Sequence, residues 1–303
     1  MKFDFENTVN ERVKIADNSD VELYVKREDR LHTFVSGNKY RKLKYNLLEA
    51  DVLGFKTLLT FGGAFSNHIA AVASAGKLLG FKTIAIVRGE ELESKVKENP
   101  TLNFAEACNM SLKFITREAY RKKSEKLFLD ELKNEFGDFY LIPEGGTNAL
   151  AIKGCEEILD ESDECFDFIC CSVGTGGTIS GIINCSKPSQ QVLGFSALKG
   201  SFLKQDISKF ATKTNWDLKT NYHFGGYAKI NTELVSFINQ FKMENNIPLD
   251  PIYTGKMMFG IFHLIDKKFF PKGSKILAIH TGGLQGIDGM NLRLKNKNLP
   301  LIK

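Results

Sequence analysis

The sequence lacks the features that would place the protein in a membrane or outside the cell. No apolar run is long enough to span a bilayer, and the first six residues, Met-Lys-Phe-Asp-Phe-Glu, have no apolar signal segment after the lysine. We therefore expect a cytoplasmic protein. With 303 residues, of which 43% are hydrophobic and 25% charged, the chain is long enough for one large or two intertwined α/β domains.

Signals for nucleic-acid and metal binding are also lacking. The net charge of +5 is mild and the lysines are spread over the chain, so we expect no nucleic-acid partner, although an anionic small molecule would suit this charge. The six cysteines form no Cys-x-x-Cys pair, and the five histidines are not spaced as ligands with them, which argues against a zinc site. We expect reduced thiols, with Cys170 and Cys171 inside an apolar strand.

What the sequence does contain is a regular alternation of strand and helix patterns. Alternation of this kind with apolar strands predicts a doubly wound α/β fold with parallel sheets, in which ligands bind at the carboxyl ends of the strands. The predicted strands are 22–26, 56–61, 82–87, 111–115, 139–142, 167–173, 191–195 and 275–280. The predicted helices are 41–53, 67–80, 101–109, 118–136, 148–160, 178–186, 231–245 and 255–268.

One basic loop, Ser36-Gly37-Asn38-Lys39-Tyr40-Arg41-Lys42, leads directly into an apolar-periodic helix. Glycine and asparagine suit a tight turn, so the backbone should fix the position of Lys39. Neighbouring positive charge and loss of water both favour the neutral amine of a lysine, the form that a Schiff-base lysine needs. By itself, the loop could equally be a solvated basic patch.

Two glycine loops stand between a strand and a helix. In Phe61-Gly62-Gly63-Ala64-Phe65-Ser66-Asn67-His68, a serine and an asparagine precede the helix, which indicates either a carboxylate or phosphate site or a simple helix cap. In Val173-Gly174-Thr175-Gly176-Gly177-Thr178, amides and hydroxyls would form a nest for an anion. This second loop has no Gly-Lys-Ser/Thr, and Ile179 replaces the third glycine of a dinucleotide fingerprint, so a monophosphate is the expected ligand.

Two further loops are weaker signals. Asp250-Pro251-Ile252-Tyr253-Thr254-Gly255-Lys256 opens a helix and could be merely a proline-stiffened turn, whereas His280-Thr281-Gly282-Gly283 sets a hydroxyl at a strand end. Together, a constrained lysine, a monophosphate nest, a carboxylate-type helix start and a hydroxyl at the final strand end indicate pyridoxal phosphate and an amino acid.

Five segments, in family order over nearly the whole chain, resemble the signatures of the 1-aminocyclopropane-1-carboxylate deaminase and D-cysteine desulfhydrase family. They are Gly37-Asn38-Lys39-x-Arg41-Lys42-Leu43, Gly62-Gly63-x-x-Ser66-Asn67-His68, Glu144-Gly145-Gly146-Thr147-Asn148, Gly174-Thr175-Gly176-Gly177-Thr178 and Asp250-Pro251-x-Tyr253-x-Gly255-Lys256. The resemblance implies pyridoxal 5′-phosphate and the two-domain, tryptophan-synthase-β-like fold (fold type II), a three-layer αβα architecture with mostly parallel sheets.

The resemblance also implies a role for individual residues. Lys39 would be the Schiff-base lysine and proton carrier. The cofactor would be held by Lys39, Asn38, Lys42, Asn67, Gly174, Thr175, Gly176, Gly177, Thr178 and Thr281, with Asn67 on its phenolic oxygen and Thr281 facing its pyridine nitrogen. Ser66, Asn67 and His68 would bind the substrate carboxylate, with Ser66 also a candidate acid/base. Tyr227, in Phe224-Gly225-Gly226-Tyr227, and Tyr253 match the two active-site tyrosines, and Thr254 is the adjacent substrate-site position.

The position after Tyr253 bears on the reaction. 1-Aminocyclopropane-1-carboxylate deaminases carry a glutamate where this chain has Thr254, and a neutral hydroxyl at Thr281 makes the ring a weaker electron sink. Both features favour a desulfhydrase-like α,β-elimination on a small (D-)amino acid, giving a 2-oxo acid and ammonia. The alternatives are ring opening by a 1-aminocyclopropane-1-carboxylate deaminase, an amino-acid racemase, and a non-catalytic module that binds a phosphorylated metabolite.

The resemblance finally implies an arrangement of domains. Residues 1–42 and 149–303 would form the larger, cofactor-binding domain, and 43–148 a smaller inserted α/β domain, with the ligands in the cleft between them. A homodimer is typical of this fold.

Overall fold

The computed structural model describes residues 8–35, 37–200 and 202–303. Ser36 of the basic loop and the N-terminal segment discussed above lie outside this range. The strands are β1 Asn10–Arg12, β2 Glu22–Lys26, β3 Thr57–Gly62, β4 Lys82–Arg88, β5 Met110–Ile115, β6 Tyr140–Ile142, β7 Phe168–Val173, β8 Gln191–Ser196, β9 Trp216–Lys219 and β10 Lys275–Ile279.

Helices alternate with these strands, as the sequence predicts. They are α1 Asn38–Val52, α2 Asn67–Leu79, α3 Pro100–Ala107, α4 Arg117–Arg121, α5 Lys126–Phe136, α6 Ala149–Cys155, α7 Gly177–Cys185, α8 Phe202–Ser208, α9 Thr232–Asn245, α10 Thr254–Asp266 and α11 Gly286–Lys295. Short 3₁₀ helices are found at Glu28–Arg30, Glu90–Glu98, Glu144–Gly146 and Glu161–Asp163.

The strands form two sheets. The larger has the order β1-β2-β10-β7-β8-β9 and is parallel except for the antiparallel pair β1 and β2; the smaller has the order β5-β4-β3-β6 and is parallel throughout. Each sheet has a buried cluster of apolar side chains on both of its faces, against the flanking helices. The predicted α/β class with three layers and mostly parallel sheets is therefore confirmed.

The strands of the smaller sheet all lie within the predicted inserted segment, residues 43–148. The predicted boundary at residues 42 and 43 falls inside α1, which is one continuous helix. Leu43, Leu47 and Ala50 of this helix pack into the core of the smaller sheet. On its other side, α1 approaches α6 so closely that a Cβ on Gly154 would lie 2.0 Å from the carbonyl oxygen of Arg41. The division into domains stays a prediction.

Two predicted helices differ from the structure. The pattern over 118–136 becomes two helices, α4 and α5, because like charges four residues apart, such as Lys122 and Lys126, disfavour one continuous helix. The pattern over 148–160 ends at Cys155, and Asp160 instead caps the 3₁₀ helix Glu161–Asp163 and pairs with buried Lys26 at 2.8 Å. No pattern predicts β1, β9, α8 or α11.

The cysteines are free, and Cys108, Cys155, Cys170 and Cys171 are buried as expected, whereas Cys165 is exposed. In the described part of the chain, no helix is both long and apolar enough to cross a membrane.

Candidate active site

A cavity of about 620 Å³ opens where the carboxyl ends of β3 and β6 face those of β7 and β10. Most of the site residues predicted from the sequence line it, although they come from loops far apart in the chain. They are Asn38, Lys39, Lys42, Ser66, Asn67, His68, Gly174, Thr175, Gly176, Thr178, Tyr227, Tyr253 and Thr281.

The start of α1 is tied to the loop that follows β10. Gly37 has a φ of 60°, and a Cβ on this residue would lie 2.1 Å from the carbonyl oxygen of Thr281. The backbone N–H of Asn38 donates to the same oxygen at 3.3 Å. Only glycine fits both the conformation and this close approach, so Gly37 fixes where Lys39 enters the cavity.

Lys39 is half-buried, and the pKa of its amine is lower than usual. Burial first, and then the positive charge of Lys42, lower the pKa of Lys39 to about 7. Arg41, the other cation of this loop, forms an ion pair with buried Glu28 at 2.7 Å. A large fraction of Lys39 is therefore neutral near pH 7, as a nucleophilic amine or a general base requires.

The loop after β7 and Lys42 form an anion cradle. Helix α7 begins at Gly177 behind Gly176, which has a φ of 84° and provides no side-chain cap, so no side chain of the preceding residue occupies the first amides. Lys42 Nζ donates to the carbonyl of Gly145 and the hydroxyl of Thr147, both at 3.1 Å. It lies 3.1 Å from where a Cβ on Gly177 would be.

Hydroxyl groups complete this cradle. Asn38 Nδ2 donates to Thr178 Oγ1 at 2.8 Å, and the hydroxyls of Thr147 and Thr175 are 2.6 Å apart. Free amides at a helix start, hydroxyls and an ammonium group together fit a phosphate ester.

The start of α2 forms the opposite wall. Ser66 caps this helix, since its Oγ accepts from the backbone N–H of Ile69 at 3.3 Å, and the hydroxyl proton stays available to a ligand. Asn67 Oδ1 is buried, and none of the described residues donates to it. An orphaned amide oxygen inside a cavity indicates a polar ligand there.

The tautomer of His68 follows from its contacts. Thr60 Oγ1 donates its only proton to the carbonyl of Ile142 at 2.8 Å, so it must accept from His68 Nε2, which is 2.8 Å away. His68 Nδ1 is therefore a bare lone pair, and the described residues offer it no donor. Burial, followed by the charges of Lys39 and Lys42, holds the pKa of His68 well below its usual value.

This geometry bears on the predicted role of His68. A neutral imidazole cannot donate from a nitrogen that carries a lone pair. The role of His68 in binding the substrate carboxylate stays a prediction, and its backbone N–H, near the start of α2, is a further donor there.

Two tyrosines stand on the large-sheet side. The rings of Tyr227 and Tyr253 have centroids 6.4 Å apart, at an interplanar angle of 61°. Tyr253 lies over the loop that follows β7, since a Cβ on Gly174 would be 3.0 Å from its ring. Burial raises the pKa of Tyr253 well above its usual value and that of Tyr227 in the same direction. Both hydroxyls therefore keep their protons near pH 7.

Thr281 is at the carboxyl end of β10, and its hydroxyl lies 3.1 Å from that of Ser172, the neighbouring group on β7. The two strands thus present neutral hydroxyls to the cavity floor. Ser172 was not predicted as a site residue, although its place near a strand end was a usable signal.

The structure does not bring Thr254 to the cavity. Its side chain is fully buried, and its hydroxyl donates to Asp250 Oδ1 at 2.8 Å and accepts from the Asp250 backbone N–H at 2.9 Å. A threonine whose hydroxyl is used in this way shapes the turn before α10. Thr254 is therefore not among the residues that line the cavity, and its assignment to the substrate site stays a prediction.

Three charged residues line the cavity without having been assigned a role. Arg88 is the last residue of β4, so its position at the carboxyl end of a parallel strand could have identified it. Glu144, which pairs with Lys123 at 3.3 Å, lies in a segment that was noted without a role. Arg293 belongs to α11, for which the sequence gave no signal.

Comparisons with known proteins agree with this site. The family described as pyridoxal-phosphate-dependent enzyme matches residues 9–282. The chain belongs to this family. The cofactor is pyridoxal phosphate, and the cradle beside Lys42, the half-buried Lys39 and the orphaned oxygen of Asn67 fit such a group.

Individual relatives narrow the family further. A Pyrococcus horikoshii protein provisionally named 1-aminocyclopropane-1-carboxylate deaminase is 30% identical, over 88% of this chain and 85% of its own length. The Arabidopsis thaliana mitochondrial bifunctional D-cysteine desulfhydrase/1-aminocyclopropane-1-carboxylate deaminase is 31% identical, over 88% of this chain and 73% of its own. A crystal structure of an ACC deaminase homologue superposes with a TM-score of 0.83 at 27% identity, covering 96% of this chain and 94% of its own. The chain is thus an enzyme of the deaminase and desulfhydrase branch, with small amino acids as substrates.

Proposed function

We propose that this enzyme catalyses α,β-elimination on a small D-amino acid, with D-cysteine as the first substrate to test. The observation that carries the proposal is the position of Lys39. Its amine, with a pKa near 7, enters one cavity with an anion cradle at the start of α7 and a second helix start at α2. A phosphate-bearing cofactor and a substrate carboxylate would each have a separate site on either side of this amine.

The substrate carboxylate would lie at the start of α2. The free backbone N–H groups there and the hydroxyl of Ser66 supply donors, and the helix dipole favours a negative charge. When bound, pyridoxal phosphate supplies an electron sink that stabilises negative charge at the α-carbon. Thr281 and Ser172 offer neutral hydroxyls to the cofactor ring.

Proton transfer would belong to Lys39. Near pH 7 its neutral amine can accept the α-proton, and general-base catalysis of this kind is worth about 10²- to 10⁴-fold. The hydroxyls of Tyr253 and Ser66 keep their protons and are candidate donors toward the departing β-substituent. For D-cysteine and one water molecule, the products balance as sulfide, pyruvate and ammonia.

A second candidate is 1-aminocyclopropane-1-carboxylate deamination. It is favoured by the names of the relatives, one of which is bifunctional. Against it stands Thr254 in place of the glutamate of those deaminases, although the hydroxyl of Thr254 donates to Asp250. With this substrate the same Lys39 would serve, and the products would be 2-oxobutanoate and ammonia.

The deciding experiment is a titration of the purified, cofactor-loaded enzyme. D-Cysteine, L-cysteine and 1-aminocyclopropane-1-carboxylate are added in turn while the visible spectrum, ammonia and 2-oxo acid are measured. Pyruvate and sulfide from D-cysteine alone support the proposal. 2-Oxobutanoate from 1-aminocyclopropane-1-carboxylate alone replaces it with the second candidate, and formation of L-cysteine without ammonia identifies a racemase.

We also propose the predicted domain arrangement, with residues 43–148 closing over the cavity, and a homodimer. Light scattering of the purified enzyme tests the dimer. The cytoplasmic location stays a prediction.

A further inference from the structure

Lys256 is a buried cation that does not line the cavity and has no role in the proposed reaction. Lys256, in the first turn of α10, is only 1% exposed. Its Nζ donates to the carbonyl of His223 at 2.9 Å and to that of Gly226 at 2.8 Å. Burying an ammonium group is costly unless it is well paired, so this contact is a defined feature of the fold.

The two carbonyls that accept from Lys256 each begin a backbone turn, and the two turns follow one another in the chain. The N–H of Gly226 donates to the carbonyl of His223, and the N–H of Lys229 donates to that of Gly226. Lys256 therefore bonds to both turns of the segment 223–229, and Tyr227 lies in the second of them.

This segment has an unfavourable backbone. Phe224 and Ala228 both have a φ of 52°, and Gly225 and Gly226 are also positive, at 95° and 116°. Positive φ at a residue with a Cβ is disfavoured and persists only where the surroundings enforce it. The two hydrogen bonds from Lys256 are one such constraint on this backbone.

The same face of α10 contacts this segment and the residue before it at one point each. Phe259 contacts Phe224 edge to face, with centroids 5.0 Å apart, and His263 Nδ1 lies 2.9 Å from the hydroxyl of Tyr222. Residues 256, 259 and 263 follow helical spacing. Since Tyr253 immediately precedes α10, one helix thus positions both tyrosines.

We propose that Lys256 is a positioning residue for Tyr227, holding the segment 223–229 so that the Tyr227 ring packs edge to face against Tyr253 at the cavity wall. The role of Tyr227 in turnover rests on the proposed function, whereas its placement by Lys256 does not. Burial lowers the pKa of Lys256 to about 8, against the opposing charge of Asp250, so the ammonium form predominates at pH 7.

The first test measures amide hydrogen exchange in the cofactor-loaded enzyme. We expect Lys256→Met to speed exchange in peptides covering 222–229 by about tenfold, as for lost hydrogen bonds from a charged donor, while α9 and the rest of α10 keep their protection. Lys256→Arg, which retains two donors, should restore most of the protection. Lys229→Met is the matched control, because Lys229 is an exposed cation of the same segment. Unchanged exchange in 222–229, or faster exchange throughout α10, overturns the proposal.

A kinetic cycle gives the second readout. If Lys256 acts through Tyr227, the loss of kcat/KM caused by Lys256→Met should largely disappear in a Tyr227→Phe background, whereas additive effects contradict the proposal. Lys256→Gln replaces Lys256→Met if the latter does not fold. An enzyme that eliminates nothing from D-cysteine refutes the proposed function, and the exchange measurement still decides the positioning role.

Discussion

Two helix starts face the same cavity, and they are built differently. Helix α7 follows a glycine and has no side-chain cap, with Lys42 beside it. Helix α2 is capped by Ser66. Its first two residues carry buried acceptors, Asn67 Oδ1 and His68 Nδ1, to which no described residue donates. An uncapped helix start next to an ammonium group suits a phosphate, whereas a start that mixes donors and acceptors suits a zwitterionic amino acid. Lys39 lines the same cavity as both helix starts, and the largest expected effect is at this residue.

Lys39→Ala removes the amine that we propose as the general base. We expect turnover of D-cysteine to fall at least about 10³-fold, because the general base is lost. The rate of sulfide and pyruvate formation measures this. Lys44→Ala is the control on the same helix, since Lys44 points to Glu157 at 2.6 Å. A Lys39→Ala enzyme that turned over D-cysteine would reject the scheme.

Lys42→Met should act mainly on the α7 side, although it also removes a charge that lowers the pKa of Lys39. Losing a charge-assisted contact should raise the dissociation constant of pyridoxal phosphate by about 10- to 100-fold, with little change in KM for D-cysteine at saturating cofactor. Titration of the cofactor-free protein, followed by its visible band, gives this constant. Lys153→Met, an exposed cation on α6, is the control. Equal cofactor affinity in Lys42→Met and wild type would contradict the assignment of this cradle.

Ser66→Ala should affect the α2 side alone. We expect KM for D-cysteine to rise by about tenfold and the free energy of unfolding to drop by about 1 kcal/mol, because a donor and a helix cap are both lost. Ser66→Asp separates the two effects. Aspartate caps helices well but repels a carboxylate, so this variant should keep its stability and still lose substrate affinity. If its KM matched the wild type, the carboxylate would bind elsewhere.

The smallest expected effect concerns the protonation states of His68 and Lys39. Between pH 6 and 8, His68 should remain neutral with its proton on Nε2, because its pKa is well below the ordinary value. The free amine of Lys39, with a pKa of about 7, should lose its proton as the pH rises through this range. Nitrogen-15 NMR of histidine-labelled, cofactor-free protein checks the first statement, and the rate of reductive methylation of Lys39 against pH checks the second. Titration of His68 near pH 6.5 would contradict its neutral state over this range, and a proton on Nδ1 would contradict its assigned tautomer.

The sequence predicts much of this molecule because many of its signals are local. Apolar periodicity identifies the central strands, such as 168–173 and 275–279, and glycine-rich stretches mark the loops at their ends. Edge strand β9 and terminal helix α11 have weaker periodicity, since their side chains are only partly buried, and they escaped prediction. Arg293 was missed for the same reason.

The amino-acid sequence by itself determined the alternation of strands and helices, the glycines that open the loops and the presence of a lysine at the start of α1. Only the tertiary structure decided what each polar side chain faces. Thr254 turns to Asp250, His68 is locked by Thr60, and Lys256 reaches a segment about 30 residues away. The physical reason is range: periodicity is set by neighbours in the chain, whereas a hydrogen bond or a shifted pKa depends on groups that only folding brings together.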